Sequence, residues 1–187
     1  MGTPDSREYD RLKERNFRPY SKGHRFMYEE AIRQIQARED GEPITIIEAG
    51  FGIGWGLDRM LDAGIVLDYI GCEPNADSFN YVSGRMSGEE PISRLLNVPF
   101  TEDVTPRVSD YGFCIEVIEH VPMDRHEAFL SGLRSRCNVL FFSTPDKNKV
   151  PREGVRTTAE WTRLLHEAGF RTVEVNTSKW TYLYRCE

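Results

Sequence analysis

The chain has 187 residues, 39% of them apolar and 29% charged, with a formal net charge of −6. That length suits one domain spanning 1–187, large enough to bury a core without disulfide or metal staples. The acidic balance argues against a surface that coats nucleic acid, no apolar run approaches the ~20 residues that span a bilayer, and the polar N-terminus excludes a secretory signal peptide, so a soluble cytoplasmic protein is expected.

Residues 1–25 form a basic arm in which Arg7, Arg11, Lys13, Arg15, Arg18, Lys22 and Arg25 outnumber Glu8, Asp10 and Glu14. It reads either as a solvated tail or as a lid bringing positive charge to a phosphate- or carboxylate-bearing substrate. Tyr28, Ile32 and Ile35 recur at helical spacing and predict a helix over Phe26–Ala37, ended by Gly41 and Pro43. Ile44–Ala49 is a β-branched run expected as a buried strand. A helix marked by Leu57, Met60 and Leu61 stops at Gly64, and Leu67–Cys72 is a second strand ending at Glu73-Pro74. The next helix carries Phe79, Val82 and Met86 and breaks at the Ser87–Pro91 loop. Strands follow over Leu95–Phe100 and Gly112–Ile118.

Asp124 and Glu127 have the spacing of a capping box opening a helix with Phe129, Leu130 and Leu133 on its buried face. Asn138–Ser143 is a very apolar strand, and Asp146–Gly154 a polar loop. Thr157 and Glu160 make a second capping box for a helix carrying Trp161, Leu164, Leu165 and Ala168, with Gly169 as its C-terminal stop. Arg171–Val175 and Lys179–Arg185 close the chain as an antiparallel pair. The fold class this implies is α/β: a doubly wound, mostly parallel seven-stranded sheet, Rossmann-like, with helices on both faces. The cysteines Cys72, Cys114, Cys137 and Cys186 have no ligand-like spacing and read as reduced packing residues.

The chemistry concentrates at strand ends, where an open α/β sheet binds its ligand. Ile46-Ile47-Glu48 runs into Gly50, Gly52 and Gly54. Alternating glycines let the backbone turn sharply and approach a ligand closely, and the acid suits a ligand carrying positive charge. The dinucleotide pattern G-x-G-x-x-G is not met, because Trp55 or Leu57 stands where its third glycine belongs. Glu73 ends the second strand, where a carboxylate can accept from both ribose hydroxyls of a nucleoside and repel a 2′-phosphate. Glu116, Glu119 and His120 cluster at the end of the Gly112–Ile118 strand. If the chain coils after Val117, Glu116 shares a face with Glu119 or with His120.

Glu48-Ala49-Gly50-Phe51-Gly52-Ile53-Gly54 resembles the first motif of class I S-adenosylmethionine (SAM) methyltransferases, and Glu116-Val117-Ile118-Glu119-His120-Val121-Pro122 resembles their fourth-strand signature. Ser143-Thr144-Pro145 and the stretch from Glu160-Trp161-Thr162 to Gly169-Phe170 look like later motifs, so the resemblance covers roughly Ile44 to Val175. It implies SAM as cofactor. Gly50, Gly52 and Gly54 would border its amino-acid moiety with Glu48 nearby, Glu73 would hold the ribose, and Glu116 would sit beside the sulfonium. Asn97, Glu102 or Asp103 would flank the adenine. Glu119 or His120 is then the candidate base for an acceptor that needs deprotonating.

A narrower resemblance, to methyltransferases of the 3′-terminal ribose 2′-hydroxyl of small RNAs, rests on the E-x-x-E-H of Glu116, Glu119 and His120, on Phe17-Arg18-Pro19-Tyr20 with Arg25, and on Glu160-Trp161. It implies RNA as the second candidate acceptor and Mg²⁺ as a ligand. Tyr20, Ser21 and His24 depart from that family's pattern, and Thr157 stands where its remaining metal-ligand histidine is expected. The leading expectation is therefore a SAM-dependent methyltransferase of a small molecule, with no resident metal and no membrane partner. An NAD(P) oxidoreductase and a catalytically silent SAM-binding module are the competing classes. Neither the acceptor nor the oligomeric state is written in the sequence.

Overall fold

A strand whose successive residues are all apolar must be covered on both faces. In β1 (Ile44–Ala49) Ile46 and Ile47 are both fully buried, and in β5 (Cys137–Pro145) so are Leu140, Phe141 and Phe142. The computed structural model describes residues 22–37, 43–65, 67–86, 94–145, 147, 154–171, 173–177 and 181–187. Its seven strands, completed by β2 (Leu67–Cys72), β3 (Arg94–Leu96), β4 (Ser109–Ile115), β6 (Val173–Thr177) and β7 (Thr181–Cys186), form one sheet in the order β3-β2-β1-β4-β5-β7-β6. Strands β1 to β5 run parallel, β7 runs antiparallel to β5, and β6 antiparallel to β7.

Helices cover both faces. On one, Tyr28, Ile32 and Ile35 of α1 (Lys22–Gln36), Leu57 and Met60 of α2 (Trp55–Asp62), and Val82 and Met86 of α3 (Ala76–Met86) pack with Ile46, Tyr69, Tyr111 and Phe113 of the sheet. On the other, α4 (His126–Arg134) and α5 (Thr158–Glu167) set Leu130, Leu133, Trp161 and Leu165 against Ile47, Cys114, Leu140, Phe142 and Tyr184. Burying each large apolar side chain contributes roughly 1.5–3 kcal/mol, which makes these two layers the main source of stability. Asp110 pins β4 to β1, accepting from the Thr45 backbone N–H at 2.8 Å and its hydroxyl at 2.9 Å. The order reverses between β1 and β4, so a crevice opens at their C-terminal ends. Among the described residues, no helix is long and apolar enough to cross a membrane. All four cysteines are buried and free.

The sheet is the one expected, with local departures. Helix α1 begins a turn before Phe26. The strand expected over Leu95–Phe100 shrinks to Arg94–Leu96, because the chain bends at Asn97 and Val98 and Pro99 has no N–H to continue a ladder. Strand β4 starts earlier than Gly112 and stops at Ile115, since Glu116 turns left-handed with φ 57°. The Asp124–Glu127 capping box does not form. Pro122 instead opens a 3-10 turn over Met123–Arg125, and α4 begins at His126 without a side-chain cap. The second capping box does form: the Glu160 N–H donates to the Thr157 hydroxyl at 3.3 Å, and the Thr157 N–H to the Glu160 carboxylate at 2.7 Å. Most of the basic arm, with Phe17 to Ser21, lies outside the described residues.

Candidate functional site

The turn after β1 is built from glycines because it leaves the ordinary backbone regions three times, at Gly50 (φ 75°), Gly52 (φ 56°) and Gly54 (φ 76°). Gly50 has a second constraint: a β-carbon there would stand 2.5 Å from Cγ2 of Val117, two residues past the end of β4. The two strand ends thus approach closely only because Gly50 lacks a side chain. Its N–H donates to the Cys72 carbonyl at 2.7 Å, which ties the turn to the end of β2.

Glu73 follows directly. It is buried, and its carboxylate accepts from the N–H of Gly52 and the N–H of Asn75, both at 2.8 Å. These donors fix it beside the turn. Asn97 is exposed and donates through Nδ2 to the Glu73 carbonyl at 2.8 Å, so it locks the β3 end to the β2 end and leaves its amide oxygen facing elsewhere.

Glu48 lies deeper than its place in the motif suggests. It points into the face covered by α1, where both carboxylate oxygens accept from tyrosine hydroxyls, those of Tyr28 and Tyr69. Burial pushes its pKa up to about 7; the two tyrosines pull it down and the nearby Glu73 charge adds to the rise. Tyr28 is itself stacked on Phe113, ring centroids 5.9 Å apart, and set edge-on to Trp55.

The Glu116–His120 segment spreads its three functional groups. Glu116 takes a left-handed conformation that costs a non-glycine residue about 1 kcal/mol or more. Ser143 of β5 holds it there: the hydroxyl accepts from the Glu116 N–H at 3.1 Å and donates to its carboxylate at 3.2 Å. A 3-10 turn over Ile118–His120 follows, with Glu119 buried and His120 exposed. Glu119 is buried, near enough to Cys114 that its charge adds to burial in driving that thiol far above its usual range. Gly154 (φ 85°) packs so closely on this turn that a β-carbon would lie 2.6 Å from the Glu119 carbonyl oxygen. His120 is exposed and faces the crevice. Glu116, Glu119 and His120 therefore do not converge as a metal cage, and among the described residues no cluster of three His, Cys, Asp or Glu is arranged to hold an ion.

A cavity of about 640 Å³ occupies the crevice, the size of a small-ligand site. Gly50, Pro74 and Val117 form its inner end, and Pro99, Phe100, Val121, Ala128 and Phe129 its apolar walls. Phe100 and Phe129 meet edge to face at 5.5 Å. Polar groups are few: His120 and Arg125 on one side, Thr101 and Glu102 on the other. Of the three residues that spacing left open for the ligand's far end, Glu102 lines the cavity while Asn97 braces its rim. The aromatic pair and Arg125 were not foreseen; Phe129 shows in the sequence only as a helix core position. His24 stands in the first turns of α1, and burial pushes its pKa down to about 4. Tyr20 lies outside the described residues.

No family model and no curated protein matches this chain by sequence. Solved structures do match in shape. The magnesium protoporphyrin IX methyltransferase ChlM from Synechocystis PCC 6803, solved with bound SAH, superposes with a TM-score of 0.69 at 15% identity, over 97% of this chain and 94% of its own. A SAM-dependent methyltransferase from Archaeoglobus fulgidus gives 0.67 at 15%, over 95% and 99%. The methyltransferase domain of bacterial CtHen1-C gives 0.67 at 17%, over 85% and 95%. This is the class I methyltransferase fold. In that fold the crevice above β1 and β4, with its glycine turn and the Glu73 carboxylate, is the place where chemistry has to be sought.

Proposed function

We propose that this protein is a SAM-dependent methyltransferase. The observation that carries the reading is the fixed Glu73 carboxylate, held by the Gly52 N–H and next in sequence to Pro74, which lines an apolar cavity of nucleoside size. A buried carboxylate positioned this way accepts from vicinal ribose hydroxyls and disfavours a 2′-phosphate. Pro74 and Val117 offer apolar faces to a purine, and Glu102, or the free amide oxygen of Asn97, can accept from its exocyclic amine. Gly50, Gly52 and Gly54 let the backbone border the amino-acid end of the cofactor, and Glu116 stands at the sulfonium side. Glu48, beneath the turn, supplies negative charge under a cationic ligand. SAM supplies an electrophilic methyl group when bound.

The protein's contribution is alignment and electrostatics. As the acceptor atom bonds to the methyl carbon, the carbon–sulfur bond breaks and its electron pair stays on sulfur. An acceptor that must lose a proton delivers it to a base, for which His120, open to the cavity, is placed and Glu119, turned into the core, is not. The acceptor is a small molecule with a reactive oxygen, nitrogen or carbon centre. The metal-dependent RNA reading finds no support among the described residues, where no three such side chains are arranged to hold an ion. Isothermal calorimetry tests the assignment: S-adenosylhomocysteine should bind, and NADH binding in its place would overturn it.

A further inference from the structure

The cavity wall from Val121 to Arg125 has little regular structure to hold it: it consists of Val121 and Pro122, which follow one 3-10 turn, and the whole of a second. Its carbonyls are anchored from the side away from the cavity. His126 is fully buried and its Nε2–H donates to the Val121 carbonyl at 2.9 Å. Arg156 donates through Nε to His126 Nδ1 at 3.2 Å and through Nη2 to the Met123 carbonyl at 3.4 Å. A guanidinium can only donate, so Nδ1 is bare and the imidazole is the neutral Nε2–H form. Trp161 closes the stack, its ring 5.1 Å from His126 and 5.8 Å from the Arg156 guanidinium carbon. One imidazole thus passes the position of the α5 approach to the backbone beside His120.

We infer that His126, oriented by Arg156 and Trp161, is a positioning residue that sets the Val121–Pro122 wall of the cofactor cavity and thereby the affinity for the nucleoside it receives. The inference rests on the reading of that cavity as the SAM site. Burial lowers the pKa of His126 and the Arg156 charge lowers it further, against the Val121 and Ile118 carbonyls and Asp124, which raise it. Arg156 from the α5 approach and Asp124 from the preceding turn are the charged groups that face it. Protonation would remove the acceptor that Arg156 uses and set two cations together. The wall is therefore held above the ordinary histidine range and released as pH falls through the lowered value.

The test is calorimetric titration of S-adenosylhomocysteine into the full chain, wild type, His126→Ala and His126→Gln, from about pH 8 down to the lowest pH at which the wild type stays folded. A glutamine can donate to Val121 and accept from Arg156 but does not titrate. At the upper pH, His126→Ala should bind about tenfold more weakly and His126→Gln within about threefold of wild type. On acidification, wild type should lose affinity more steeply than His126→Gln. A merely structural histidine would lower the melting temperature of both variants while leaving that pH profile alike. The inference fails if His126→Ala binds as wild type does, or if His126→Gln follows the wild-type acid loss. Should His126→Ala not fold, the pH comparison with His126→Gln still decides. A wild type that binds no S-adenosylhomocysteine at any pH refutes the SAM reading itself, an outcome distinct from binding that the His126 variants leave unchanged.

Discussion

Two carboxylates adjoin the glycine turn, Glu48 in the chain and Glu73 in space, and do different work because their surroundings differ. Glu73 is held beside the turn by backbone N–H donors, and Glu48 is sunk among tyrosines beneath it. Replacing Glu73 with alanine leaves the ribose hydroxyls of a bound nucleoside unpaired. We expect S-adenosylhomocysteine affinity to fall by ~1–3 kcal/mol, with some loss of melting temperature because the Gly52 and Asn75 N–H groups lose their acceptor, and an unchanged calorimetric Kd would remove Glu73 from the site. Gly50 makes a sharper steric prediction. Alanine there is strained at φ 75° and collides with Val117, whose β-branched side chain cannot rotate away freely. Gly50→Ala should cost at least ~2 kcal/mol in urea unfolding, and adding Val117→Ala should return part of it. A double variant no more stable than the single one would show that the contact is not the cause. The glycines and Glu73 were legible in the sequence, since a backbone demand or a strand-end acid leaves its mark in one or two letters. The role of Ser143 in holding Glu116 was not, because it depends on a partner strand 27 residues away.

At the scale of elements, patterns with a period survived and irregular segments did not. Strands β1, β2 and β5 show as apolar runs and α5 shows as a capping box followed by helical spacing, so local chemistry and tertiary packing agree there. Between Ile115 and His126 the chain makes a left-handed residue and two 3-10 turns, shapes chosen by contacts with Gly50, Gly154 and His126 rather than by periodicity. That is why the Asp124–Glu127 box looked plausible and yet did not form. Helix α4 carries a related prediction. Gly132 lines the cavity, and a β-carbon there would meet Phe100 at 3.5 Å, an ordinary contact. Gly132→Ala should therefore fold at least as well as wild type, gaining up to about 1 kcal/mol of helix propensity. Gly132→Leu should fill the cavity and weaken S-adenosylhomocysteine binding by roughly tenfold or more, with its circular dichroism spectrum retained. If the leucine variant bound normally, the nucleoside would have to lie elsewhere.

For the molecule as a whole, the glycine turn is only as firm as the elements that meet beneath it, and Glu48 is where three of them join. It sits on β1, takes a hydroxyl from Tyr28 of α1, and takes another from Tyr69 of β2. Because burial raises its pKa from the usual carboxylate range to about 7, the folded protein binds a proton that the unfolded chain releases at lower pH. The sign follows: stability from this group is fully present below the unfolded value near 4.5 and is lost as pH rises through about 7. Glu48→Gln keeps the shape and one donor–acceptor pattern while removing the titration. Urea unfolding of wild type and Glu48→Gln between about pH 5 and 8.5 should show the wild type losing up to about 3 kcal/mol relative to the variant across that window. A cation bound above the turn would favour the ionised carboxylate, so SAM should stabilise the wild type more at pH 8 than at pH 6 by comparison with neutral S-adenosylhomocysteine. Parallel stability curves for wild type and Glu48→Gln would mean that the buried carboxyl does not titrate in this range, and that the charge beneath the turn is fixed rather than adjustable.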